Sequence, residues 1–160
     1  MISPVTKDIS GFSVHFRPLP ATKAFTLAKR VGTLALPLLK SVDLSNLKAE
    51  IDLSKVLDGL VDTLANLSDS EAVALVVDSL SGCTIVPPGQ AAIDIQSSSD
   101  VDTAFQGELE AMYEIVVESW KYNKLAPFKL AARFGLQTAK IATLSEAANI
   151  EKKSGPRLAM

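Results

Sequence analysis

The sequence predicts an α+β domain, mostly α-helical, in which an N-terminal β-hairpin precedes a helical bundle. Three observations carry that expectation. Residues 12–16 alternate apolar and polar directly behind a glycine, and several later stretches repeat apolar residues every three or four positions. Composition raises no objection, since 48% hydrophobic and 21% charged residues are what a globular chain uses. At 160 residues a single domain with a real core is expected.

The hairpin is expected over residues 5–17. Val5 and Thr6 lead into Asp8-Ile9-Ser10-Gly11, where the glycine is free to take positive φ in the turn. On the return strand Phe12, Val14 and Phe16 share one face, and Ser13, His15 and Arg17 the other. Pro18-Leu19-Pro20 ends the strand and presets φ for a helix start. Ala21–Val31 is then expected to be helical, with Ala24, Phe25, Leu27, Ala28 and Val31 inward. Gly32-Thr33 predicts a break before a second short helix, 34–39, and residues 41–52 read as a loop or one loose turn.

Leu53–Leu67 forms the next stripe, through Val56, Leu57, Leu60 and Leu64, with Asp52 as its cap. Ser68-Asp69-Ser70-Glu71 matches a capping box and starts a helix to Ser81, with Ala72, Val73, Val76, Val77 and Leu80 inward and Gly82 as a left-handed stop. The two helices make an αα-hairpin. Short β-like runs at 83–86 and 92–95 flank Pro87-Pro88-Gly89-Gln90 and predict a second hairpin near 83–95 that adds to the first. One long helix follows, capped by Asp100 or Asp102 and ending near Asn123, before Pro127. Its stripe is Phe105, Leu109, Met112, Val116 and Trp120, whereas Glu110, Glu114 and Glu118 line a face expected to be solvated. The predicted core is Phe25, Leu57, Leu60, Leu64, Val76, Leu80, Phe105, Leu109, Met112, Val116 and Trp120, with the hairpin's three inward residues on top. Residues 1–134 are expected to form the domain and 135–160 a partly helical or loose extension.

Charge is segregated. Residues 1–40 carry +5, residues 41–120 carry −13 and residues 121–160 carry +6, for a net −2. Either these blocks face one another within the fold, or basic ends meet the acidic middles of neighbouring copies. Nucleic acid is not an expected partner, because bases are not interleaved with aromatics. No segment approaches the ~20 apolar residues of a membrane span, and the N-terminus lacks the basic and then apolar pattern of a secretory leader. A lone Cys83 excludes an internal disulfide and suits a reducing compartment.

Catalytic chemistry finds little support. Phosphate-cradling glycine motifs, zinc spacings and a nucleophile elbow are all missing from the sequence, so no metal or cofactor is expected. His15, the single histidine, sits on the polar face of its strand. Glu108, Glu110, Glu114 and Glu118 could supply carboxylate pairs or metal ligands, but a dyad needs partners from different elements, and acids on one helix surface are ordinarily just solvated.

Read together, the hairpin, FRPLPATKAFTLAKRV, the helix pair LDGLVDTLANLSDSEAVALVVDSL and FQGELEAMYEIVVESWKYNKLAPF resemble the tail assembly chaperones of long-tailed bacteriophages. The resemblance spans residues 5–128. Its landmarks are Arg17-Pro18-Leu19-Pro20 leading from a hairpin into the first helix, and a late helix opened by Phe105 and followed by Asn123 and Phe128. It implies a non-enzymatic protein of the host cytoplasm that coats the helical tape measure protein before the tail tube polymerises, and that is not retained in the mature virion. It also implies contact with the tail tube protein through a longer frameshifted form, for which Lys152-Lys153 is a candidate slippage site, and action in several copies. A structural minor tail or head-to-tail joining protein is the alternative. For a partner helix, the αα-hairpin and the segment holding Leu125, Phe128, Leu130 and Phe134 are the expected groove walls, unless those side chains simply complete the core.

Overall fold

The computed structural model describes residues 2–39, 62 and 64–125. Two strands, β1 (Val5–Ile9) and β2 (Phe12–Phe16), form the N-terminal hairpin. Both residues of its turn take positive φ, Ser10 at 49° and Gly11 at 83°. That is the mirror-image turn whose twist matches the strands it joins, and it fixes Ile9 opposite Phe12. Helix α1 (Ala21–Leu39) follows, then α2 (Asp69–Leu80), β3 (Cys83–Val86), β4 (Ile93–Asp94), α3 (Ser98–Phe105) and α4 (Leu109–Tyr122). The strands lie in one antiparallel sheet in the order β1-β2-β3-β4, so the second strand pair does extend the first.

The core lies between the inner face of this sheet and the helices. Phe12, Val14 and Phe16 of β2 and Cys83 and Ile85 of β3 meet Ile115, Val116 and Trp120 of α4, all buried. Phe12 stacks at a tilt on Phe105, ring centroids 5.5 Å apart, and Phe16 on Tyr122 at the same distance. On the other side of α4, Leu75, Val76 and Leu80 of α2 close the core.

Several expectations are corrected. The long helix is two helices. Ser97, not Asp100 or Asp102, caps α3, and Asp100 reaches back to the Ser97 amide at 2.8 Å as the carboxylate of a capping box. The helix then stops because Gln106 (φ 47°) and Gly107 (φ 91°) turn left-handed, which Gly107 does at no steric cost. The spacing from Phe105 to Leu109 fits a continuous stripe, but the turn between them resets the phase. Ala111, Met112, Ile115 and Val116 then face the core and Leu109 is left 57% exposed.

Helix α1 shows the reverse. It passes through Gly32 and Pro37 without a break, because Leu27, Val31 and Leu34 keep one face on the core across the glycine. Phe25 lies two residues from Leu27, about 200° around the helix, and is 70% exposed rather than in the core. Val73 is also exposed, at 48%. Gly82 is not left-handed. A Cβ there would sit 2.6 Å from the Arg17 carbonyl oxygen, so the residue is needed for the close approach of two backbones, which the Arg17 N–H to Gly82 oxygen bond (2.8 Å) then holds. Of the Leu53–Leu67 helix, residues 62, 64 and 65 are helical. Asn66 and Leu67 already form the turn into α2, and residues 53–61 and 63, with Leu57 and Leu60 of the predicted core, the 41–52 loop and the 135–160 extension lie outside the described residues.

The glutamate face of α4 is not merely solvated. Glu118 accepts hydrogen bonds from Lys7 of β1 at 2.9 Å and from Lys121 at 2.6 Å, and Glu114 accepts one from Ser10 in the hairpin turn. Burial alone would raise the Glu118 pKa. The two lysines outweigh it and hold the carboxyl below its ordinary value of 4.5.

Two tests follow from this packing. Trp120→Ala and Phe105→Ala should each cost about 3–5 kcal/mol in chemical denaturation, and Phe25→Ala less than about 0.5 kcal/mol. Because the folded chain favours ionised Glu118, that contribution is complete above the ordinary glutamate pKa and is lost as pH falls through the lowered folded value. Melting curves from pH 7 to pH 3 should therefore show a shallower acid limb for Glu118→Gln than for the wild type.

Candidate functional site

An apolar opening lies where α2, α3 and the first turns of α4 meet. It is a cleft of about 640 Å³, floored by Val76, Val101 and Met112 and walled by Leu64, Val73 and Leu109. A shallower extension of about 490 Å³ continues past Ala74 and Val77 towards Asp78. The exposed large apolar side chains among the described residues are Val5, Phe25, Val73 and Leu109, and two of these four stand on this cleft.

Local structure explains the exposure. The buried face of α2 is Leu75, Val76, Ser79 and Leu80, which leaves Val73 on the shoulder of the helix. Glu71 reaches back from the third helical position to the Ser68 amide at 3.1 Å and accepts the Ser68 hydroxyl at 2.6 Å. Those bonds lower the Glu71 pKa and fix the start of α2 beside the cleft. Opposite, the Gln106-Gly107 turn pushes Leu109 outward. A rigid cap and a left-handed turn thus hold the two exposed apolar walls.

The rim is acidic. Asp69, Asp78 and Asp102 line the two parts of the cleft, and no lysine or arginine does so among the described residues. Asp78 is paired, with Arg30 at 2.8 Å and Lys23 at 3.7 Å, both from α1. Asp69 and Asp102 have no ion pair among the described residues. The described lining of the cleft holds no histidine, cysteine or lysine. Cys83 is buried, and burial pushes its thiol up to about 12, which keeps it protonated and unreactive. His15 bonds Thr6 through Nδ1 at 3.0 Å on the polar face of the sheet. Among the described residues there is no cluster of potential metal ligands, and no helix is long and apolar enough to cross a membrane.

Of the side chains expected to touch a partner, Leu125 is only 5% exposed, and its amide bonds the Trp120 carbonyl at 2.8 Å. Phe128, Leu130 and Phe134 lie outside the described residues. From the αα-hairpin, Leu64, Ala65 and Val73 line the cleft. The opposite wall, from α3 and Leu109, was not readable, because Leu109 sits at a core spacing in the sequence.

The landmark residues do converge. Asn123, at the end of α4, accepts the Leu19 N–H at 3.1 Å and donates from Nδ2 to the Ser119 carbonyl at 3.0 Å. The Arg17-Pro18-Leu19-Pro20 passage into α1 is thereby tied to the end of the late helix. No curated protein and no solved structure matches the chain. The sequence model of the family described as phage tail assembly chaperone protein, TAC, matches residues 11–134, which takes in every described element from β2 to α4 and most of the chain: the protein belongs to the phage tail assembly chaperone family.

Proposed function

We propose that the cleft between α2, α3 and α4 receives an amphipathic helical segment of the tape measure protein and keeps it soluble until the tail tube forms around it. The observation that supports this most is the pair of exposed apolar walls, Val73 and Leu109, facing each other over an apolar floor. A helix-in-groove partner fits such a site, since one apolar stripe fills the floor while its flanks meet the rim. Two exposed apolar residues give a modest grip, which suits a chaperone that tube subunits must displace, and several copies along one tape measure protein supply the rest of the affinity. In this reading the protein is non-enzymatic, works in the host cytoplasm and leaves before the virion matures. A further contact through Phe128, Leu130 and Phe134 belongs to the same proposal, and a longer frameshifted form recruits the tail tube protein.

Co-expression tests it. The wild type should keep the tape measure protein in the supernatant. Val73→Asp with Leu109→Asp should abolish this while shifting the chaperone's own unfolding by less than about 1 kcal/mol, because both side chains are exposed. Phe128→Asp with Phe134→Asp tests the extension in the same assay. A wild type that never solubilises its partner ends the proposal, and a folded double variant that still does so moves the groove elsewhere.

A further inference from the structure

The cleft is apolar with an acidic rim, and the chain beyond Leu125 is basic with apolar residues set among the bases. Asp69 and Asp102 line the cleft and have no ion pair among the described residues. Residues 126–160 carry Lys129, Arg133, Lys140, Lys152, Lys153 and Arg157 against Glu146 and Glu151 alone. The N-terminal bases Lys7, Arg17, Lys23 and Arg30 are already paired with Glu118, Asp94 and Asp78, so the C-terminal bases are the main positive charge left to answer the rim. Among them stand Leu136, Ile141 and Leu144, side chains that an apolar recess takes up favourably.

Reach is sufficient. Helix α4 starts at the cleft, where Leu109 and Met112 line it, and ends at Tyr122. Its 14 residues put its far end about 21 Å from Leu109. Ten extended residues span about 33 Å, so 126–135 is long enough to bring residue 136 back to the cleft. We propose that residues 136–153 fold back over the cleft of their own chain, with Leu136, Ile141 and Leu144 against Val73 and Leu109 and Lys140 against the acidic rim. This cover leaves when a partner helix enters.

The inference rests on the proposed function only in sharing its groove. A cover on the same chain acts at a high effective concentration, so it shields Val73 and Leu109 until a better-fitting helix displaces it. With the cleft covered about nine-tenths of the time, partner affinity falls about tenfold. The covering segment lies past residue 134, where the family match ends, so it is a feature of this chain outside the matched region.

Cysteine labelling of the 160-residue chain decides it. Cys83 is buried and its thiol is pushed up to about 12, so a cysteine introduced by Leu109→Cys, at an exposed position, is the thiol that iodoacetamide modifies quickly. Its alkylation should be about tenfold slower than in the same protein carrying Leu136→Asp and Leu144→Asp, and the protection should shrink as salt rises. Lys140→Glu with Lys152→Glu should also weaken the protection, without altering an apolar residue. In dilute solution Leu109→Cys combined with Leu144→Cys should oxidise to a monomer with an internal disulfide. Equal alkylation rates with and without the C-terminal substitutions overturn the inference, and so does a disulfide that forms only between chains. Neither measurement involves a partner, so a wild type that fails to solubilise the tape measure protein leaves both standing.

Discussion

The structure depends on a buried polar junction between α2 and α4. Ser79 and Ser119 are both buried in an otherwise apolar core. The Ser119 hydroxyl donates to the Ser79 carbonyl at 2.6 Å, the Trp120 indole N–H donates to the Ser79 hydroxyl at 2.9 Å, and that hydroxyl donates to the Leu75 carbonyl at 2.7 Å. Among the described residues no buried side-chain polar atom lacks a partner. Apolar contact between the helices would tolerate sliding or rotation by part of a turn. These bonds would not, because either movement leaves a buried donor unsatisfied, at a cost of about 1–3 kcal/mol. The junction therefore sets the register of α2 on α4, and with it the spacing of Val73 and Leu109 across the cleft.

The same junction reaches the sheet. Ser119 is near enough to Cys83, at the start of β3, to pull its thiol pKa down slightly against the larger upward effect of burial, so the junction lies beside the sheet as well. From there the chain is pinned twice more. Gly82 lets β3 come close to the Arg17 backbone, and Asn123 holds Leu19, so β2 enters α1 at a fixed angle. At the far end Lys7 and Ser10 fasten the hairpin to Glu118 and Glu114. Sheet and helices are thus joined at both ends and in the middle, and the cleft lies on the face that these ties leave open.

How much of this the sequence discloses depends on whether a feature is local. The hairpin is legible because Ser10-Gly11 and the strict alternation of Phe12, Val14 and Phe16 admit one turn and one face. The start of α2 is legible because Ser68 and Glu71 act across three residues. The break at Gln106-Gly107 is not, since the apolar spacing on either side happens to stay in step. The exposure of Phe25 is equally hidden, because an aromatic beside Leu27 satisfies a helical stripe as well as it faces water. Ser79 and Ser119 look like surface residues until their partners, forty positions apart, are known. For the cleft, the αα-hairpin wall follows from periodicity, and the Leu109 wall comes only from the left-handed turn before it.

Charge completes the argument. Four bases of the N-terminal block, Lys7, Arg17, Lys23 and Arg30, are spent within the fold on Glu118, Asp94 and Asp78 of the acidic middle. The intramolecular reading of the charge segregation therefore holds for these pairs. It does not use up the acids. Asp69, Asp102, Glu108 and Glu110 have no ion pair among the described residues, and they gather at the end of the molecule where α2 begins, α3 runs and α4 begins. In the proposed function a solvated acidic rim around an apolar floor would repel acidic helices and admit those with basic flanks. Exposed charges are screened over about 8–10 Å at physiological salt, so the rim biases encounter more than it binds. On the proposed reading, a grip made of two apolar side chains and a screened rim would let its helix go, which is what an assembly chaperone needs.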